Sequence, residues 1–218
     1  MQESRFGLSS GRADVPDIRP CGDSGLLLEM GNAGDVLGAY SALAASVPPG
    51  VTDLVPAQCT ILVTYDLHTT TADAVASWLR STPPTASDAP DGSVVEIPVT
   101  YDGEDLAEVA AAAGTTVEEV VRLHSTAGYR AAFCGFAPGF AYLTGLPSQL
   151  HLPRRPTPRT RVPAGAVAIA GEYSAVYPGA SPGGWHLLGT STAAMWDLSR
   201  DPPGLVQPGD SVRFVVAR

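Results

Sequence analysis

Apolar positions in the first part of the chain change period repeatedly, and each change marks an element. Residues 26–30, Leu26-Leu27-Leu28-Glu29-Met30, predict a first strand, entered through Cys21-Gly22-Asp23-Ser24-Gly25 and ended at Gly31-Asn32. Val36, Leu37, Tyr40, Leu43 and Ala44 then fall on one face of a helix over about 35–46, which Pro48-Pro49-Gly50 stops. Two β-rich runs, 51–55 and 60–65, are separated by Pro56-Ala57-Gln58. Thr70 or Thr71 can cap a second helix that carries Ala72, Val75, Trp78 and Leu79 at helical spacing. A strand over 94–99 follows, so the order is β-α-β-β-α-β, that of a ferredoxin-like split βαβ unit, although this last strand can serve either half of the chain.

The stretch 81–92 is rich in Ser, Pro, Ala and Asp and reads as a linker. Beyond it, a helix over about 104–113 turns Leu106, Val109 and Ala110 inward. A second helix is announced by Thr115-Thr116-Val117-Glu118, the pattern of a capping box, with Val117, Val120, Val121 and His124 on its apolar face. From Tyr129 onward the helical period is lost. Short β-prone runs at 129–134, 166–170, 173–177, 186–190 and 211–216 alternate with Gly/Pro punctuation, the rhythm of a small barrel or sandwich. This division gives a flexible tail over 1–13, an α+β unit with its linker over 14–92, and a mostly-β unit over 93–218.

Composition narrows the chemistry. With 44% hydrophobic and 16% charged residues, the chain can bury a substantial core. A net charge of −9 argues against nucleic-acid or anionic-membrane binding. No apolar run approaches the roughly 20 residues of a membrane span, and no apolar segment follows the N-terminal residues as in a secretory signal, so a cytoplasmic location is expected. All 13 basic residues are arginine, which excludes a lysine Schiff base and the phosphate-loop lysine on this chain. Cys21, Cys59 and Cys134 form no CxxC, and His68, His124, His151 and His186 form no HxH or HxxxH, so neither a disulfide framework nor a metal site is indicated.

Four groups of residues could carry function. His124, near a helix C-terminus where the dipole favours imidazolium, is a catalytic candidate. The segment 135–145 could wall a pocket, with Phe136, Phe140 and Tyr142 offering flat apolar faces and Pro138 a further candidate contact. Arg154, Arg155, Arg159 and Arg161, fixed between prolines, form a candidate anion site. Finally, Gly183, Gly184, Trp185 and His186 of Ser181-Pro182-Gly183-Gly184-Trp185-His186 could bring backbone amides and an indole to a ligand. Ser174, Ser181 and Thr160 are nucleophiles only in principle, because no GxSxG elbow or SxxK accompanies them.

These stretches, read in order, resemble the B subunit of bacterial ATP-dependent 5-oxoprolinase, a family also known as allophanate hydrolase subunit 1 and as KipI-like kinase inhibitors. The resemblance is carried by Gly135-Phe136-Ala137-Pro138-Gly139-Phe140-Ala141-Tyr142-Leu143, Leu152-Pro153-Arg154-Arg155, Val162-Pro163-Ala164-Gly165, Ser181-Pro182-Gly183-Gly184-Trp185 and Pro208-Gly209-Asp210. It implies a cyclophilin-like β-barrel behind the α+β unit. It also implies a C-type (subunit 2) partner in a hetero-oligomer, together with a third, A-type component, and ATP as co-substrate for opening a lactam or urea-like amide. On this reading the chain is a non-autonomous part of an enzyme. The alternatives are a regulatory protein that inhibits a histidine kinase and, by fold analogy alone, a proline isomerase. Two positions depart from the family pattern: Tyr173-Ser174-Ala175 stands where Gln-Thr-Gly is typical, and Gly189-Thr190-Ser191 where Gly-Arg-Thr is typical.

Overall fold

The period-two runs of the first part become a four-stranded antiparallel sheet because alternate residues share a face. A computed structural model describes residues 17–82 and 92–217; the expected tail and the centre of the expected linker lie outside the described residues. The elements are β1 (Asp17–Pro20), β2 (Gly25–Glu29), α1 (Ala33–Ala44), β3 (Val51–Pro56), β4 (Thr60–Tyr65) and α2 (Ala72–Ser81), and the sheet order is β1-β2-β4-β3. Leu26, Leu28, Ile61, Val63 and Tyr65 point to one face, where Val36, Ala39 and Leu43 of α1 and Val75, Ala76 and Leu79 of α2 cover them. Asn32 caps α1 by accepting from the Gly34 and Asp35 amides, and Thr71 caps α2 by accepting from Ala74.

Two expectations are corrected here. The run from Leu26 lies in the second strand, not the first, because the polar segment Asp17–Pro20 already pairs with β2. Of the two halves that the strand at 94–99, β5 (Val94–Val99), could serve, it serves the second: it pairs in parallel with the last strand of the chain, in a different sheet. β1 takes the edge place beside β2 instead. Ala44 is also exposed rather than on the buried face of α1.

The remaining elements are α3 (Leu106–Ala112), α4 (Val117–Thr126), β6 (Tyr129–Cys134), β7 (Ala141–Thr144), a single 3-10 turn (Ser148–Leu150), β8 (Arg159–Val162), β9 (Ala166–Ala170), β10 (Tyr173–Val176), β11 (Ser181–Gly183), β12 (His186–Thr190) and β13 (Ser211–Val216). Seven strands run in the order β12-β9-β10-β7-β6-β13-β5, with β8 and β11 forming a separate ribbon. The ends of the seven-stranded sheet meet where the amides of Thr100 and Thr190 each donate to the other's carbonyl at 2.8 Å, so the sheet closes almost completely into a barrel. Asp210 starts the parallel β5–β13 pair by accepting from Ser93 N and Gln207 N at 2.9 and 2.8 Å. The cap of α4 is one residue later than the sequence pattern predicts: Thr116, not Thr115, accepts from Glu119 N, because the helix begins at Val117.

β9 is buried on both faces, and its alternation divides the core. Val167 and Ile169 enter the barrel interior with Leu143, Val176, Leu188 and Phe214, while α3 and α4 add Leu106, Val109 and Val120 to the same cluster. Ala166, Ala168 and Ala170 face the other way. Their small side chains leave room for Phe140, Tyr173, Tyr177 and Trp185, which pack over them as an aromatic layer. That layer floors the site.

Candidate functional site

Phe140 is the centre of the aromatic layer. It is buried and meets Tyr142, Tyr177 and Trp185 edge-on, at centroid distances of 5.0, 5.3 and 5.5 Å. Such geometry sets the positive ring edge of one partner against the negative face of another. The loop before it folds back through Ala137 N to Gly135 O (2.8 Å) and Phe140 N to Ala137 O (2.9 Å). That tight return forces Phe136 into the left-handed region at φ 69°, a conformation that non-glycine residues avoid. Its exposed ring is thereby held edge-on over Phe140 and Tyr177.

Opposite this loop lies Pro182-Gly183-Gly184-Trp185. Gly183 has no alternative, since a Cβ there would run into the Tyr177 hydroxyl. Between the two segments is a cavity of about 240 Å³ lined by Phe136, Phe140, Tyr142, Arg154, Pro158, Tyr177, Pro182, Gly183, Gly184 and Trp185. A second cavity of about 470 Å³ adjoins it, lined by Ala57 and Gln58 of the β3–β4 turn with Phe133, Tyr142, Pro153, Arg154, Ala170, Gly171, Tyr173 and Trp185. Tyr142, Arg154 and Trp185 line both, so they form the wall between two compartments of one cleft. Burial raises the pKa of Tyr177 despite the nearby Arg154 charge, and burial beside the Glu172 carboxylate raises Tyr173 to about 12. Both tyrosines present neutral hydroxyls.

The expected anion site divides. Arg155 Nη1 donates to Asp105 Oδ1 at 2.7 Å and to Glu108 Oε2 at 2.8 Å; Arg159 reaches Asp105 Oδ1 at 2.7 Å and Glu104 Oε1 at 2.8 Å. Asp105 Oδ2 also accepts from Leu187 N at 2.7 Å. Burial pushes the Asp105 carboxyl up, but the Arg159 hydrogen bond, the Leu187 amide and both arginine charges outweigh it and hold the pKa below its ordinary value. Gly103 lets this corner approach β12, since a Cβ there would collide with the Leu187 carbonyl. Arg155 and Arg159 are thus already neutralised and brace the segment they sit on. Arg154, exposed, is held by no ion pair among the described residues.

His124 lies elsewhere. It is fully buried, stacked on Phe214 at 4.5 Å and outside both cavities. Ser174 donates to Ala168 O at 3.2 Å, which fixes the direction of the chain: His124 Nε2–H donates to Ser174 Oγ at 2.9 Å, and Tyr101 O–H donates to Nδ1 at 2.7 Å. The imidazole is neutral, its pKa lowered to about 3 by burial, so the expected helix-stabilised imidazolium is corrected: desolvation exceeds the dipole. Ser174, equally buried, cannot meet a substrate. Pro138 sits exposed at the loop tip, and His186 is buried with Nε2 donating to Pro153 O at 2.9 Å; neither lines a cavity described above. Of the two departures from the family pattern, Tyr173 lines the larger cavity, whereas Thr190 bonds Asp102 at 3.0 Å near the barrel closure, away from the cleft. Burial raises the Cys134 thiol to about 11, and its Sγ faces the Val206 carbonyl. Among the described residues no cluster of His, Cys, Asp or Glu is arranged to hold a metal.

Sequence reasoning missed Tyr177, Pro158 and Pro182 in the first cavity and Ala57, Gln58, Phe133, Pro153, Ala170 and Gly171 in the second. Tyr177 had a signal: Tyr173, Ala175 and Tyr177 alternate, which puts them on one face. Gln58 had none, since only the tertiary fold brings the β3–β4 turn to the barrel.

Residues 16–206 match the family described as carboxyltransferase domain, subdomain C and D. Within that class the chain belongs to the family of 5-oxoprolinase B subunits. It is 35% identical to the B subunit of the 5-oxoprolinase of Bacillus subtilis (strain 168) over 91% of each chain. It is 53% identical to that of Escherichia coli O157:H7 over 58% of this chain and 59% of the relative, so the match spans somewhat over half the length of that protein. Among solved structures, TTHA0988 superposes with a TM-score of 0.79 at 42% identity, covering 93% of this chain and 41% of that one. The urea carboxylase of Kluyveromyces lactis shares the fold at a TM-score of 0.68 and 17% identity, covering 98% of this chain and 23% of that one.

Proposed function

We propose that this chain is the B-type component of an ATP-dependent amide or lactam hydrolase of the 5-oxoprolinase or allophanate hydrolase type, working in the cytoplasm with a C-type (subunit 2) partner and an A-type component. The observation that carries this reading is the likeness to 5-oxoprolinase B subunits along nearly the whole chain. The cleft supports it. Its lining residues are aromatics, prolines, glycines and alanines with Gln58 and one arginine, and no carboxylate, thiol or imidazole stands among those described. Such a lining binds and orients a planar ligand, and leaves nucleophile and base to another member of the complex. An amide resists water through resonance. Attack becomes feasible once ATP-driven activation draws charge onto its oxygen. A triphosphate needs more positive charge than Arg154 alone, so ATP belongs elsewhere in the complex. In this reading His124 maintains the barrel core, and Arg155 and Arg159 keep the cleft wall in place.

Co-expression with a C-type partner, followed by addition of the A-type component, provides the test. The expected result is co-purification and ATP hydrolysis that depends on 5-oxoproline. A complex that forms but hydrolyses ATP only with another amide would keep the class and change the substrate. A chain that forms no complex would overturn the proposal.

A further inference from the structure

The chain immediately around Arg154 is fixed on both sides. Pro153 O accepts from His186 Nε2 at 2.9 Å, and Arg155 N donates to Gly184 O at 2.8 Å. The Arg155 side chain is locked onto Asp105 and Glu108. The Arg154 side chain between them is exposed and makes no ion pair among the described residues, at the wall shared by both compartments. Among the described residues it is the sole charged one lining either compartment. In a chain of net charge −9, a cation that forms no ion pair among the described residues and is set among aromatic rings can take its counter-charge from a ligand. Tyr142 and Trp185, edge-on to each other at a centroid distance of 5.7 Å, line the same wall as Arg154 and can pack against a ring that the guanidinium holds.

The geometry points to Arg154 as the residue that selects the substrate: it binds the carboxylate of a small cyclic amide whose ring lies against Phe140, Tyr142 and Trp185. This inference rests on the hydrolase reading above and deepens it, assigning recognition of the substrate carboxylate to Arg154 and separating it from the arginines beside it. Guanidinium and carboxylate match as a two-pronged fork, so charge and geometry are both read. A neutral lactam of the same ring size makes the stacking contacts and forfeits the fork.

Isothermal titration calorimetry on the full chain, and on its complex with the C-type partner, tests this with four probes: 5-oxoproline, 2-pyrrolidinone, cyclopentanecarboxylate and inorganic phosphate. 5-Oxoproline should bind about tenfold to a hundredfold more tightly than 2-pyrrolidinone, and Arg154→Gln should remove that preference with the melting temperature unchanged. Arg154→Lys should restore part of it, since charge returns without the fork. Equal binding of the two lactams, no measurable lactam binding by either preparation, or an Arg154→Gln variant that keeps the preference would each overturn the proposal. So would phosphate binding that depends on Arg154 and displaces the lactam, since the arginine would then hold a phosphoryl group. Arg154-dependent binding of cyclopentanecarboxylate as tight as that of 5-oxoproline, in a complex that shows no lactam-dependent ATP turnover after the A-type component is added, would leave the carboxylate clamp standing and sink the hydrolase reading alone.

Discussion

Phe136 and Phe140 stand four residues apart, and the structure uses them in opposite ways. Phe140 is 1% exposed and central to the aromatic layer, so Phe140→Ala should cost about 3–5 kcal/mol, the usual range for emptying a buried aromatic site. Phe136 is 62% exposed and held at φ 69°, which disfavours a side-chain-bearing residue by roughly 1–2 kcal/mol. Phe136→Gly should therefore leave stability within about 1 kcal/mol of wild type, since relief of strain offsets lost ring contacts. Urea unfolding of the two variants checks the contrast; a Phe136→Gly loss as large as that of Phe140→Ala would mean the ring is structural after all. The sequence placed both residues in one pocket wall, because Gly135-Phe136-Ala137-Pro138-Gly139-Phe140 mixes rings with turn formers. It could not say which ring was buried, since that depends on β9 supplying three alanines beneath Phe140.

Among the elements, the Asp105 corner links the start of α3, the arginine segment before β8, and β12. Removing one partner of a buried charge network leaves the others desolvated and unpaired. Asp105→Ala should thus destabilise by about 3 kcal/mol, and Asp105→Asn by less, since an amide oxygen still accepts. Amide exchange at Arg155 and Leu187 should quicken in both; unchanged exchange there would show that the arginine segment holds its place without Asp105. Nothing in the local sequence marks Asp105, an acid among several after Gly103. The arginines were legible, but their neutralisation was not, because the counter-charge lies about 50 residues away. The strands follow the same rule. β6, β9, β10, β12 and β13 were legible as apolar runs between turns. β7, β8 and β11 were hidden in Gly/Pro-rich stretches, and β5 found its parallel partner over 110 residues on, at β13. Periodicity reports a residue's face, not its neighbour across the sheet.

At the scale of the whole molecule, the buried histidine ties stability to pH. His124 closes a proton-ordered chain from Tyr101 through Ser174 to Ala168 and titrates at about 3 in the folded protein, against 6.5 for an ordinary histidine. Below about pH 6.5 the unfolded chain takes up a proton that the folded chain refuses, so the lowered pKa gives full stability above 6.5 and progressive loss down to about 3. Each pH unit inside that window is worth roughly 1.4 kcal/mol at most, so stability should fall by about 2 kcal/mol between pH 7 and pH 5. Asp105, whose pKa is also lowered, works in the same direction at more acidic pH: its contribution is present above the ordinary carboxylate range and lost below it. The two windows therefore separate, histidine first and carboxylate second, as acid is added. Urea midpoints at pH 7, 6 and 5 measure the histidine window. His124→Gln should be less stable at pH 7, because its amide cannot fill the space against Phe214, yet its midpoint should change less between pH 7 and 5. A wild-type midpoint that stayed flat from pH 7 to 5 would mean that His124 accepts a proton where it lies; Nδ1 would then donate as well, and the Tyr101 hydroxyl would have to turn and accept from it, while the Ser174 contact kept its direction.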